Sequence, residues 1–243
     1  MTLHKVNCLV CGAELKYETG YRTMVCALCG KQFDANARCA GGHYVCDACH
    51  SLPAGEFIAR SCIASQLKDP VAQALLLMRD RRIAMHGPEH HFLVPAVLLS
   101  AYYNVTGDTG KKEEKIRTAQ KRAASVPGGF CGFQGDCGAA VGVGIFISVM
   151  TGSTPLSTKE WRLSNLATGR SLITIAENGG PRCCKRNTFL ALEEAGKFLR
   201  EQFDIILPVS HNVKCEFTGL NKQCLHEKCR FYPQGGVAQS EAG

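Results

Sequence analysis

The residues best placed to do chemistry in this sequence are four thiols, Cys131, Cys137, Cys183 and Cys184, all set in or beside glycine-rich turns. Residues 126–150 read VPGGFCGFQGDCGAAVGVGIFISVM. Pro127, Gly128, Gly129, Gly132 and Gly135 make the first half a loop, because they fix φ or allow values other residues avoid. Asp136 is a natural N-cap for the apolar run that follows. That places Cys137 in the first turn of a helix, where unpaired backbone N–H groups and the macrodipole favour a thiolate. Cys131 lies within loop reach of it. Arg182, Lys185 and Arg186 flank Cys183 and Cys184 and favour thiolates there as well.

Adjacent cysteines bond poorly to each other because the small ring strains the peptide between them, so Cys183 and Cys184 are expected to pair with different partners. If all four thiols converge, they make a four-thiolate iron–sulfur site or a dithiol redox site, with loop amides tuning the sulfurs. The plainer account is that free cysteines fill small apolar gaps. His86, His90 and His91 gather at the Gly87-Pro88 turn upstream. They suit metal ligation, a proton relay or a substrate clamp, with His90 or His91 as proton donor in the redox reading. The alternative is a polar helix cap with one histidine hydrogen-bonded in the core.

A second chemistry is written in the first 50 residues, which hold seven cysteines and little that could form an apolar core. A module so short is held by metal if it folds at all. Cys8-x2-Cys11 and Cys26-x2-Cys29 are two knuckles joined by a segment that reads as a short hairpin around Gly20, a pattern like a four-thiolate zinc ribbon. Cys39, His43, Cys46 and Cys49 follow and suit a second zinc with three thiolates and one imidazole. Two pairings fit the spacing: consecutive ligand sets, or sets that alternate between the metals in a cross-brace of the RING kind. Cys62 reads as a core residue. A third group, Cys215, Cys224 and Cys229, has enough sulfur for cofactor binding, and either completes a site begun by Cys183 or Cys184 or closes a third zinc.

These residues are carried by a chain of 243 residues, 45 % hydrophobic and 20 % charged, which excludes extensive disorder. Its 28 Lys and Arg exceed its 21 Asp and Glu by seven, an excess that tolerates an anionic partner without requiring one. The N-terminus has no signal-peptide character, so the cysteines read as ligands or reactive thiols of a reducing cytoplasm. The apolar run from 138 to 150 is too short to span a bilayer, and no membrane association is expected.

From residue 52 onward the periodicity is helical. Asp69 caps a helix beginning at Pro70 and running to about Met85, with Arg79, Asp80, Arg81 and Arg82 as a solvated end. Pro95 starts or kinks a helix ending near Asn104. A polar helix spans about 111–125 and carries the most basic surface, though no aromatic residue interleaves to stack on bases, so nucleic acid is an unfavoured partner. Ser157 or Thr158 caps a helix to Glu177, and a final amphipathic helix runs from Asn187 to Phe203.

The string from Gly128 to Ile147, with Cys131 and Cys137-Gly138-Ala139-Ala140, resembles the C-GCAxxG-C-C group of proteins associated with redox activity, departing from it in Ala139-Ala140 and in lacking a Gly-Cys pair. MHGPEHHFLVPAVLL, VPGGFCGF, CGAAVGVGIF and GGPRCCKR, between His86 and Arg186, resemble a cysteine-rich domain of unknown function from anaerobic bacteria and methanogenic archaea. This second likeness extends over nearly the whole chain, knuckles included. Both imply an anaerobic setting in which exposed thiolates and iron–sulfur centres survive.

The expected protein is mainly α: a zinc-ribbon-like double-zinc module over 1–51, an all-helical domain of five to seven helices over 52–210, and a cysteine-containing tail over 211–243. Its expected role is zinc binding together with a cysteine-based redox or iron–sulfur site that serves a methyltransferase or radical enzyme. The competing role is a zinc-ribbon adaptor for a protein or nucleic acid, with no catalysis.

Overall fold

The computed structural model describes residues 8, 10–11, 13–50 and 52–233; the knuckle glycine Gly12 and the last ten positions lie outside them. Strands β1 (Leu15–Val25) and β2 (Gln32–Cys39) form a two-stranded antiparallel ribbon. The expected hairpin at Gly20 does not form. β1 runs through Gly20 with a register irregularity between Tyr17 and Arg22, and the chain reverses at the second knuckle instead. There Cys26 N–H donates to the Lys31 carbonyl at 2.8 Å and Gly30 adopts φ +70°, a left-handed turn that glycine takes without strain. Tyr17 and Tyr21 are each 76 % exposed, so the ribbon has almost no apolar face to bury. A short helix, α1 (Asp47–His50), closes the module.

Helices α2 (Ala54–Ala64), α3 (Pro70–Met78), α4 (Glu89–Thr106), α5 (Lys112–Ala123), the single turn α6 (Phe130–Phe133), α7 (Gly138–Thr151), α8 (Lys159–Glu177) and α9 (Cys184–Phe203) build the rest. Asp69 caps α3 as expected, accepting from Val71 N–H at 2.8 Å and Ala72 N–H at 3.3 Å. α3 stops at Met78, short of the expected end, because Asp80 folds its carboxylate onto the backbone of Arg82. Arg82 is no solvated end. Its guanidinium clasps Asp80, lies 3.7 Å over the Phe57 ring, and donates to the carbonyls of Cys49 and Leu52, tying the cysteine module to the helices.

α4 is buried on nearly every side and packs against α2, α3, α5, α7 and α9. Pro95 lies inside it, neither starting nor ending it. A Cβ on Gly142 would come within 2.9 Å of Pro95 Cδ and 3.1 Å of the His91 carbonyl, so α7 reaches α4 only because that position is glycine. Lys112, expected on the basic surface, is buried and donates to the Ser65 carbonyl at 2.8 Å and Asn104 Oδ1 at 3.0 Å. Arg117 is paired with Glu56, which it holds down at about 2 together with Arg60, against the opposing effect of burial.

Among its described residues, the segment after Asp204 contains no regular element beyond two 3-10 turns, Thr218–Leu220 and His226–Lys228. It nevertheless folds onto α9. Phe231 packs edge-on against Phe189 with centroids 5.3 Å apart, and Val213, Phe217 and Phe231 join the main apolar core. Among the described residues no helix is long and apolar enough to cross a membrane.

Candidate metal centres and thiol cavity

Among the described residues two sets of four candidate ligands form in the N-terminal module: Cys8, Cys11, Cys39 and His43, and Cys26, Cys29, Cys46 and Cys49, with the ligand atoms of each set within 4.8 Å of one another. Their order along the chain alternates. The expected four-thiolate ribbon site, made from the first two knuckles together, therefore does not form, and the cross-brace pairing does. The physical reason is the ribbon itself. A strand rises about 3.3 Å per residue, so knuckles at opposite ends of β1 stand too far apart to share an ion. Pairing of Leu15 with Cys39 instead returns Cys39 to the first knuckle, and the bridge between Cys26 and Tyr44 leads the chain on to deliver Cys46 and Cys49 to the second.

The spacing within each set is that of a single tetrahedral ion. Sγ atoms of Cys11 and Cys39 are 3.7 Å apart and those of Cys29 and Cys46 are 3.9 Å apart; metal–sulfur bonds of about 2.3 Å in a tetrahedron put sulfurs about 3.8 Å apart. Cys39 Sγ lies 3.4 Å from His43 Nδ1. Backbone N–H groups of Val10, His43 and Cys46 point at the sulfurs of Cys8, Cys39 and Cys26 at 3.4, 3.2 and 3.4 Å. These donors orient ligands and favour their charged form. Burial raises Cys8 and Cys49, whereas in Cys26 and Cys39 the effect of burial is outweighed by donated hydrogen bonds, which lower them. A Cβ on Gly41 would lie 3.6 Å from the ligand atoms of Cys11, Cys39 and His43 alike. Arg60, from α2, approaches Cys49 Sγ at 3.9 Å. Both sets could hold a metal ion such as zinc or iron.

Cys131, Cys137, Cys183 and Cys184 do not gather into one site. Cys137 is itself the N-cap of α7, displacing Asp136 from that role, and its Sγ accepts from Asn187 Nδ2 at 3.4 Å. Cys131, on α6, and Cys137 line a cavity of about 670 Å³ together with Phe133, Leu172, Ile173, Arg182, Arg186 and Asn187. Cys184 opens α9 behind them; burial raises its thiol, and nearby Cys137 and Cys131 raise it further. Cys183 faces elsewhere. It caps α9 through Arg186 N–H at 3.4 Å and lines a separate small chamber with Cys215, Cys224 and Cys229.

The flanking cations do not make Cys183 and Cys184 acidic. Burial raises both, although Arg186 and Arg182 pull the other way. Lys185 turns into the core, where its ammonium donates to the carbonyls of Met78 and Ile83 at 3.1 and 2.9 Å. The expected turn at Arg182-Cys183-Cys184 is already the start of α9, which begins three residues earlier than its apolar pattern suggested. Asn187 thereby falls in the first turn and reaches Cys137, a role its position at a supposed helix boundary concealed.

The histidines divide in the same way. His90 is buried with both ring nitrogens engaged, Nδ1 with Thr188 Oγ1 and Nε2 with the Ala84 carbonyl, each at 3.1 Å, so it is a core histidine and no proton donor. His91 Nδ1 meets the Val126 carbonyl at 3.1 Å, and its ring lies where a Cβ on Gly138 would be, at the start of α7. His86 Nε2 reaches Asn221 Oδ1 at 3.2 Å, beside the tail cysteines.

Burial and the neighbouring Lys185 charge push His90 from 6.5 down to about 3. Between those values the unfolded chain binds a proton that the folded chain refuses, so folding stability falls as pH drops below 6.5, by about 1.4 kcal/mol for each unit at the limit. Denaturant midpoints measured from neutral pH down to about pH 5, above the Glu56 window, are expected to fall in the native protein and to fall less in His90→Gln.

A family model described as a family of unknown function, DUF5714, matches residues 58–232, the helical domain and tail without the cysteine module. No curated protein and no solved structure matches the chain.

Proposed function

The chain belongs to the DUF5714 family, and from its own residues we propose that it is a zinc-bearing protein with cysteine-based redox chemistry in its helical domain. The observation that carries this reading is the cavity on which Cys131 and Cys137 both open, with the Asn187 amide donating to the Cys137 sulfur. Zinc suits the two alternating ligand sets because it takes thiolates and imidazole in closed tetrahedral sites and does no redox chemistry of its own. It would hold the module rigid and leave the electron traffic to the other thiols.

In this reading the Asn187 amide holds the Cys137 sulfur at the N-terminus of α7 on the cavity wall, where it reacts as a thiolate. The thiolate attacks one sulfur of an oxidised partner's disulfide. Cys131, on the single turn α6 between the left-handed Gly129 and Gly135, then resolves the mixed disulfide. The partner leaves with two thiols and this chain keeps a Cys131–Cys137 disulfide. A cytoplasmic methyltransferase or radical enzyme with reducible cysteines is the partner class proposed. Mass spectrometry after mild oxidation is expected to find the Cys131–Cys137 disulfide, and Asn187→Ala to slow alkylation of Cys137 several-fold. No disulfide, and equal alkylation with and without Asn187, would sink the reading.

The adaptor reading has its own support in exposed Leu156, in the turn before α8, and Trp161, in its first turn, 95 % and 51 % accessible. A nucleic-acid partner is less favoured, since Lys112 is buried and Arg117, Lys111 and Lys115 are paired with Glu56, Asp108 and Glu114.

A further inference from the structure

Cysteines from two distant parts of the chain meet in the small chamber between α9 and the tail. Cys183 comes from the N-cap of α9, and Cys215, Cys224 and Cys229 come from the irregular segment that folds over it. Three of the four sulfurs receive backbone N–H groups: Arg186 to Cys183 at 3.4 Å, Phe217 to Cys215 at 3.5 Å and His226 to Cys224 at 3.4 Å. The last two repeat the pattern of Val10 on Cys8 in the N-terminal centre, a donor two residues after the cysteine. His226 accepts φ +49° in the donating turn, a left-handed conformation that costs a non-glycine residue energy and calls for a compensating interaction.

The chamber wall is cationic. Arg186 lines it with 4 % exposure, and Lys185, 1 % exposed, lies 4.8 Å from the ring of Phe217 in the same wall. Among the described residues neither makes an ion pair; Arg186 donates to the carbonyls of Gly179 and Pro181, and Lys185 to those of Met78 and Ile83. Glu89 acts on Lys185 only from a distance. Buried cations without anions are costly, so the site is preset for a negative occupant.

Sulfur spacing says which kind. Among the described residues, only the two N-terminal sets bring three or more ligand atoms within 4.8 Å. Cys183, Cys215, Cys224 and Cys229 line one space, yet no three of their sulfurs lie within the 4.8 Å that the two N-terminal sets keep for a single tetrahedral ion. A polynuclear core bridges such a gap, and hydrogen bonds from backbone amides to its sulfurs are a normal means of stabilising it.

We infer that Cys183, Cys215, Cys224 and Cys229 ligate a [4Fe–4S] cluster, which pins the irregular tail to α9. Arg186 lines both this chamber and the thiol cavity, placing the cluster one side chain away from Cys131 and Cys137. The inference uses different sulfurs from the dithiol reading and stands if that reading fails.

The test is anaerobic purification of the full chain, incubation with ferrous iron and sulfide, and metal and sulfide analysis. The expected protein carries about four iron and about four sulfide in addition to the metal of its two N-terminal sets, with visible absorption that bleaches on reduction. Cys224→Ala and Cys229→Ala lose iron and sulfide and keep their zinc, whereas Cys137→Ala keeps both. Resonance Raman of the unsubstituted protein shows all-cysteine iron–sulfur modes, a readout independent of whether any variant folds. A third zinc without iron, the absence of iron–sulfur modes, or iron retained in Cys224→Ala and Cys229→Ala overturns the inference.

Discussion

Stripping the metal from the N-terminal module, or replacing Cys46 with alanine, is expected to unfold residues 13–50 while helices α2 to α9 remain folded. The module's buried residues are almost all ligands: Cys26, Cys46 and Cys49 are its own small apolar cluster, and the strand residues Tyr17, Tyr21 and Val25 face solvent. With so little area removed from water, its folding free energy is metal-binding free energy, about 10–16 kcal/mol per structural ion in comparable small sites. The helical domain has its own continuous core from Phe57 to Phe231. Hydrogen exchange should therefore show β1 and β2 losing protection on chelation while α4 and α7 keep theirs, and far-UV circular dichroism should retain its helical signal. Loss of protection throughout, or none anywhere, would contradict this division. The contacts of Arg60 and Arg82 with Cys49 join module to domain, but Arg82 keeps Asp80 and the Phe57 ring after the module is lost.

The second large effect is expected at the crossing of α4 and α7. A Cβ at Gly142 would meet Pro95 Cδ at 2.9 Å, Val94 Cβ at 3.0 Å and the His91 carbonyl at 3.1 Å, two of them atoms with no freedom to withdraw. Gly142→Val forces these helices apart and is expected to cost about 3 kcal/mol, lowering Tm by roughly 6–12 °C for a domain of this size. Gly169, within α8, has open space around its Cβ position. Gly169→Ala there is expected to stabilise by up to about 1 kcal/mol through helix propensity alone. Thermal melts of the two variants should move in opposite directions.

These glycines show where sequence reading reaches its limit. The apolar run from 138 to 150 announced a buried helix, and α7 is one; that Gly142 and Gly144 are the points at which Pro95 of α4 and Thr168 of α8 press on it depends on neighbours far along the chain. The ligand identities of the metal centres were legible in the spacing of Cys8, Cys11, Cys26, Cys29, Cys39, His43, Cys46 and Cys49. Their partition was not, because it follows from strand register, in which Leu15 opposite Cys39 decides which knuckle Cys39 joins.

The helical thiols were harder still. Arg182, Lys185 and Arg186 read as an acidifying flank of Cys183 and Cys184, yet α9 starts at Cys184, and helical geometry sends Lys185 into the core and points adjacent cysteines to different sides. That divergence had been expected from the strain of a bond between neighbours. Which partners each would face could not be known from local sequence, since Cys215, Cys224 and Cys229 are more than thirty positions beyond Cys183. His90 illustrates the same limit: only the approach of Thr188 and Ala84 turns a candidate proton donor into a core residue.

The alternating metal sets are the claim on which the rest of the module depends, and heteronuclear NMR with NMR-active cadmium in place of the native metal tests it directly. One cadmium resonance should correlate with protons of Cys8, Cys11, Cys39 and His43, and a second with those of Cys26, Cys29, Cys46 and Cys49. A single cadmium correlating with Cys8, Cys11, Cys26 and Cys29 together would contradict the cross-brace.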